Sequence, residues 1–374
     1  MDIAKEQLLC NLKATRKTRG LSQNELAQRV GVKRQAIYDI ESGRYTPNTT
    51  LALRLARELG CRVEDLFVIE ESECEKTVTL ADAAHSGCTR VSVTKVRDRL
   101  VAHPIEGRWM INEGFHAADG FLQPNAESVK MIQPSENMDK KALLLGCDPA
   151  FSILGEYVSR YAGDARLQCR FASSFSALEG LAAGHAHIAA AHLHNLEGAE
   201  SNLELARRIV PGSKLMVIAF SSFEEGLMVA PGNPYGIKTI ADLALEGVRF
   251  VNREEGAALR ILFDECLRKA GIPGSRIMGY NRLVSGHFEG AQLVAFRMVD
   301  AALGLRAVAA AYGLDFVPLE MVRCDLVIPH EFQEHPAVSI LLDVLQTRAF
   351  RTELSALPGY DPASTGKVVA EIQP

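Results

Sequence analysis

The chain has a single tryptophan and no CxxC pair among its 374 residues. Its eight cysteines, at 10, 61, 74, 88, 147, 169, 266 and 324, follow no framework. That argues against structural zinc and against a disulfide scaffold, and for reduced thiols. No run of eighteen apolar residues occurs, so no segment is suited to span a bilayer. The N-terminal stretch is polar and charged within its first turns, unlike a secretory signal, which makes the cytoplasm the expected compartment. A P-loop, a metal-ligand spacing and a coiled-coil heptad are also missing, so no cofactor or metal is expected. At 47% hydrophobic and 23% charged residues the composition is that of a folded protein. The length suggests two or three domains.

A net charge of −5 conceals an uneven distribution. Residues 1–62 carry twelve Lys and Arg against six Asp and Glu, or +6, which leaves −11 for the rest. A small basic head on an acidic body suits a separate module that binds a polyanion. Within this head, Leu8, Leu9 and Leu12 are spaced for a first helix over 6–19, ended by Gly20. Ser22 and Glu25 form an S-x-x-E capping box that starts a second helix with Leu26, Ala27 and Val30 inward. A third helix is predicted from Lys33 to Ser42, a fourth with Thr49 or Thr50 as cap, and a last turn at 63–67.

Two short helices joined by a tight glycine turn in a bundle of this size describe a helix-turn-helix. The stretch "RGLSQNELAQRVGVKRQAIYDIESGRYTPNTTLALRLARELG" resembles the phage Cro/repressor (XRE) type of DNA-binding domain over residues 6–67. The resemblance implies a structural ion pair between Arg16 and Glu41 and a phosphate contact from Gln23. It places Lys33, Arg34 and Gln35 at the start of the recognition helix, with Tyr38, Arg44 and Asn48 flanking it on the DNA backbone. Arg can fork onto guanine and Gln onto adenine, whereas Lys and Tyr mainly contact phosphates. Double-stranded operator DNA is the partner this implies.

The acidic run "VIEESECEK" marks a linker at 69–78, after which the period changes to two. "RVSVTKV" (90–96), "RLVAH" (99–103), "RWMIN" (108–112) and "SVKMIQ" (128–133) read as short strands of a small β-rich connector over 69–141. Trp109 and His116 are read as packing and surface residues.

From 142 onward strands and helices alternate, which indicates a parallel sheet covered by helices. "ALLLGC", "ARLQCRFAS", "HIAAAHL", "VRFVN", "IMGY", "DAALGL", "DFVPL" and "RCDLVIP" are predicted strands, and "KLMVIAFSSFEEGLMVAPGN" a long strand-rich crossing. "TIADLAL" reads as a helix. The blocks "LLLGCDPAFSIL", "SSFSALEGLAAGHAHIAAAHL", "EEGLMVAPGNP", "GVRFVNREEG" and "DLVIPHEF" resemble the periplasmic-binding-protein-like (type II, molybdate-binder-like) domain over about 142–365. That resemblance implies two α/β lobes, one of about 142–223 with 330–374 and one of about 224–329, with a ligand between them. "LMVAPGNP" and "DLVIP" would be the crossings. It points to molybdate, tungstate or a related small anion. The multidomain fold expected is therefore an all-α head, a β-rich connector and an α/β two-lobed body.

Ligands in open α/β sheets sit beyond the carboxyl ends of strands, where helix N-termini offer free N–H groups. Those ends carry Asp148, then Ser173, Ser174 and Ser176, then Gly256 and Ala257, then Ser285 and His287, with Arg253 beside the third group. Each serine, and Asp148, is equally an ordinary helix cap when taken singly. Where family members carry a Gly-Ser-Gly-Thr-like stretch, this chain has Glu254-Glu255-Gly256-Ala257. Carboxylates facing the cleft would repel an oxyanion, so an organic or aromatic acid, or a cation, is the alternative ligand. Ser174 with His192 is the one nucleophile–base pairing considered, and no third orienting residue accompanies it.

"GHAHIAAAHLHN" (184–195) packs four histidines into twelve residues. His187 and His192 are five strand steps, or roughly 16 Å, apart, too far to share one ion. His185 and His187 are expected at the surface and His192 in the pocket. Together these features predict a non-enzymatic one-component regulator, acting as a homodimer, in which a small-molecule or oxyanion effector controls DNA binding.

Overall fold

The computed structural model describes residues 7–70, 75–82, 89–105, 114–124, 126–132, 138–161, 163–195 and 200–374. Trp109 and the predicted strand at 108–112 lie outside them, as do Cys74 and Cys88. The chain divides into two compact units, Met1–Glu75 and Lys76–Pro374.

The first unit is a bundle of helices Leu12–Thr18, Gln23–Val30, Arg34–Glu41, Thr49–Leu59 and Val63–Leu66. Leu12, Leu26, Ile37, Ile40, Leu55 and Leu59 meet in its core. The capping box is formed: the Ser22 N–H donates to Glu25 at 2.7 Å and the Glu25 N–H to Ser22 Oγ at 3.2 Å. Two readings change. Leu8 and Leu9 belong to a strand, Gln7–Cys10, that pairs antiparallel with Phe67–Glu70. Helical spacing there is overridden by pairing to a segment sixty residues away, with Gln7 opposite Glu70. The fourth helix is capped by Asn48, whose Oδ1 accepts the Leu51 N–H at 2.9 Å, instead of by either threonine.

The second unit begins with a six-stranded sheet, in which Arg90–Val96 pairs antiparallel with Arg99–Pro104 and Gly120–Leu122 with Ser128–Met131. Lys141 ties it to the neighbouring larger sheet, donating to Asp119 at 2.6 Å and to the Val93 carbonyl at 3.1 Å. The larger sheet has ten strands. On one side Lys141–Leu145 lies parallel to both Arg166–Arg170 and Ile188–Ala191. On the other, Phe250–Arg253 lies parallel to Ala301–Leu305 and to Leu283–Val284. Two fifteen-residue antiparallel strands, Leu215–Val229 and Asp315–Pro329, run through the middle and join the two lobes.

These crossings correct the reading of "DFVPL" and "RCDLVIP" as separate strands, because one continuous strand holds both. "IMGY" is not a strand. Gly279 there has φ +98°, and a Cβ would run into the Phe250 carbonyl, so the chain turns and Leu283–Val284 takes the edge position. "TIADLAL" forms only a 3-10 helix, Ile240–Ala244.

Candidate functional site

Strand ends deliver the side chains. Cys147 and Asp148 follow Lys141–Leu145, Ser173 and Ser174 follow Arg166–Arg170, and His192 follows Ile188–Ala191. Arg253 closes Phe250–Arg253, and His287 opens the helix after Leu283–Val284. All lie at carboxyl ends of parallel strands, where the next helix begins. Cys147, Ser173, Ser174, His192, Arg253, Ala257 and His287 line a small cavity, part of it open to solvent. Cys147 and His287 also border a second hollow, together with Asp148, Arg170 and His116.

Arg253 is the cavity's fixed cation. It is 2% exposed, with one terminal nitrogen 3.0 Å from His287 Nδ1 and the other donating to the Ser285 carbonyl at 3.3 Å. Its Nε has no hydrogen-bond partner among the described residues. Burial, then Arg253, pushes His287 well below the ordinary histidine range and so keeps it neutral. His192 is also buried, yet the sulfur of Cys147 at 2.7 Å and the carboxylate of Glu225 at 3.1 Å outweigh the burial and hold it well above that range. Glu225 is fully buried; His192 and His194 overcome the cost of that burial and bring it down to about 2. His194 Nε2 lies 2.9 Å from Glu225 and its Nδ1 3.1 Å from Glu320. The contacts to Glu225 and Glu320 are at ion-pair distance but off the N–H direction, so they act through charge more than as aligned hydrogen bonds.

The expected residues separate by position. Ser173, Ser174, His192, Arg253, Ala257 and His287 line the cavity, and Asp148 borders the second hollow. Asp148 accepts from Tyr360 Oη at 2.5 Å and from the Ala150 N–H at 2.8 Å, and burial raises it to about 6. Three others are turned to local work. Ser176 is exposed and accepts from Ser173 Oγ at 3.1 Å, Ser285 donates to Glu289 at 3.1 Å, and Gly256 occupies an exposed turn at φ +83°. Glu254 and Glu255 are not among the cavity-lining residues. Ser174 Oγ accepts the backbone N–H of His192 at 3.2 Å, so the pairing of Ser174 with the His192 ring does not form.

His187 is not a surface residue. It is 1% exposed, with its ring 4.8 Å from Phe332 and 4.7 Å from His335, and its Nδ1 accepts the Leu143 N–H at 3.2 Å. The 3-10 turn His330–Phe332 and His335, the cap of helix Pro336–Gln346, cover it, which the local pattern could not show. Burial, then His335, lowers it to about 3. His185 is half-buried. The sequence reading missed Cys147, Glu225, His194 and Glu320. Cys147 had a signal, since it ends the same strand as Asp148; Glu225 had none, being one carboxylate in a long crossing strand.

In the first unit, Arg16 forks onto Glu41 at 2.6 and 3.1 Å in a buried pair. Gln23 Nε2 donates to the same carboxylate at 2.9 Å. Lys33, Arg34, Gln35, Tyr38 and Arg44 are exposed. Gln35 donates to Asp39 at 2.9 Å, the Arg44 guanidinium lies 5.6 Å from the Tyr38 ring centre, and Asn48 serves as the helix cap described above.

Comparison with known proteins places both units. The family described as PBP superfamily domain matches residues 155–346, and the helix-turn-helix family matches residues 12–66. The uncharacterised protein YvgK of Bacillus subtilis is 28% identical over 246 residues, covering 66% of this chain and 79% of its own. An uncharacterised protein encoded in the 5′ region of a ferredoxin gene of Clostridium pasteurianum is 37% identical over 113 residues, which is 30% of this chain and all of that protein. An uncharacterised helix-turn-helix-type transcriptional regulator of Methanothermobacter thermautotrophicus is 54% identical over 57 residues, 15% of this chain and 83% of its own. The chain belongs to the PBP superfamily and carries at its head a helix-turn-helix domain of the kind found in transcriptional regulators.

Proposed function

We propose that the protein is a one-component regulator whose second unit binds a small anion in the cavity around Arg253 and whose head reads operator DNA. The single observation that carries the ligand class is the buried guanidinium of Arg253, its Nε without a partner among the described residues, facing a cavity ringed by helix N-termini. A buried cation with an open donor is costly, and an anion offsets that cost. His192 adds positive charge, and Glu225, although anionic, is engaged by two histidines. A tetrahedral oxyanion such as molybdate or tungstate and a small organic carboxylate both fit this chemistry. Glu254 and Glu255 stand outside the lining, and Glu254 acts on the Arg253 guanidinium through charge.

In this reading Lys33, Arg34 and Gln35 meet base edges, while Tyr38, Arg44 and Asn48 flank them on the backbone. Gln23 acts by bracing Glu41. The protein works in the cytoplasm as a homodimer on half-sites about 34 Å apart. Ligand closes the two lobes about the long crossing strands, and a coupling of ~1–3 kcal/mol is enough to alter operator affinity. Calorimetric titration with molybdate, tungstate, sulfate and small carboxylates, followed by a gel-shift assay on the protein's own promoter, tests this. Binding of an anion that changes DNA affinity is expected. If no anion binds, the ligand assignment fails; if an anion binds without changing DNA affinity, the regulatory assignment fails.

A further inference from the structure

We infer that Cys147 is a nucleophile, activated by His192 and positioned through Glu225, that captures a small carboxylate bearing an electrophilic carbonyl carbon as a reversible covalent adduct. The inference rests on the anion-binding reading of the same cavity.

Three side chains stand in series. Cys147 Sγ is 2.7 Å from His192 Nε2, and His192 Nδ1 is 3.1 Å from Glu225 Oε1. This is the order of a nucleophile, a base and a carboxylate that holds the base's charge. The three come from different elements: the end of Lys141–Leu145, the end of Ile188–Ala191 and the crossing strand Leu215–Val229. His192 is held from two more directions, its backbone N–H on Ser174 Oγ and its ring 5.5 Å from Phe223. Cys147 also immediately precedes the turn that leads into helix Phe151–Tyr161, where the positive end of the helix favours a thiolate.

The second observation is that this sulfur lines the same cavity as Arg253, so an anion held by the guanidinium lies beside a nucleophile. The other ionisable groups about the pair are Arg253, His287, Asp148, Tyr360 and Cys324. Burial keeps His287 uncharged, and raises Tyr360 and Cys324 so that both stay protonated. Arg253 and His192 therefore supply the positive charge at the sulfur.

In the capture step the proton between Cys147 and His192 stays on His192 Nε2, and the sulfur lone pair attacks the carbonyl carbon. A C–S bond forms while the C=O π pair moves to oxygen. That oxygen then takes the proton from the imidazolium, and a hemithioacetal that keeps the ligand's carboxylate results. Nothing is oxidised and no group leaves. The reverse step restores thiol and carbonyl compound, as a sensor that must release its signal requires.

The test uses the full chain with iodoacetate and iodoacetamide as probes, read by peptide mass mapping. Alkylation forms the S–C bond, breaks C–I and releases iodide. Cys147 is expected to react first among the cysteines. The anionic reagent should outpace the neutral one by about tenfold once each is normalised to free cysteine. Its rate at pH 6 should stay within about threefold of that at pH 8, whereas an ordinary thiol gains about tenfold per pH unit over most of this range. That ordinary profile at Cys147 would overturn the activation, and this measurement needs no variant. Glu225→Gln should slow labelling about tenfold at pH 6 and recover by pH 9, a pH-profile change that a purely structural role does not produce. An unaltered profile in a folded variant removes Glu225 from the relay. Protection then separates the two readings. Glyoxylate should protect Cys147 at concentrations where acetate does so only weakly. Equal protection by both leaves the anion site standing and overturns covalent capture, and protection by neither overturns both.

Discussion

Glu225 Oε2 lies 2.9 Å from His194 Nε2, inside the protein, on the strand that joins the two lobes. A carboxylate with no solvent exposure at this position is tolerated because two imidazoles flank it. The junction between the lobes is therefore held by charge as well as by the sheet.

The acid stability of the protein should reflect this pair. Glu225 moves from an ordinary 4.5 to about 2 on folding, so its contribution is complete above pH 4.5 and is lost as pH falls toward 2. The stability gap between wild type and Glu225→Gln should shrink across that window by on the order of 3 kcal/mol, measured by denaturant unfolding at a series of pH values. A gap constant with pH would mean that the histidines do not hold the charge.

His187 acts at milder pH. Its value drops from 6.5 to about 3 on folding, so stability is complete above pH 6.5 and declines below it as the unfolded chain takes up the proton first. Each unit below 6.5 costs up to ~1.4 kcal/mol, or about 2 kcal/mol by pH 5. His187→Phe, which keeps the ring against Phe332, should flatten this part of the curve in thermal unfolding between pH 7 and 5.

Removal of the cavity cation should weaken anion binding without unfolding the domain. Arg253→Gln keeps a donor toward Ser285 and loses the charge. A loss of about 1.5–3 kcal/mol, or roughly 10- to 150-fold in affinity, is expected by calorimetry. Unchanged affinity would place the ligand elsewhere.

In the head, two arginines should behave differently. Arg34 is exposed, and Arg34→Ala should cost ~1–3 kcal/mol in operator affinity while the helical circular dichroism stays intact. Arg16 is buried against Glu41, and Arg16→Ala strands that carboxylate at a cost of about 3–5 kcal/mol. That variant should lose helical signal as well as DNA binding. Normal operator binding by Arg34→Ala would refute its place in the recognition helix.

What proved legible is local. The Ser22–Glu25 box, the inward spacing of Leu26 and Val30, and the strand ends at Asp148, Ser173 and Arg253 depend on residues within a few positions of one another. The relay does not. Cys147 and His192 are 45 positions apart and Glu225 lies on a third strand, so no window of sequence contains them. The histidine run shows both sides. Its spacing excluded a single four-histidine ion site, but burial was decided by distant partners: Phe332 and His335 for His187, Glu225 and Glu320 for His194.

By itself the sequence determined a helix-turn-helix head followed by an α/β body, most cap and turn positions, and the strand ends where a ligand could sit. These follow from backbone hydrogen bonding and periodicity, which act over a turn or a strand. Tertiary structure alone decided which of those candidates share a cavity, which were spent on local caps, and where charge went unpaired. Those outcomes depend on burial and on charges brought together from remote segments, and both exist only once the sheet has formed.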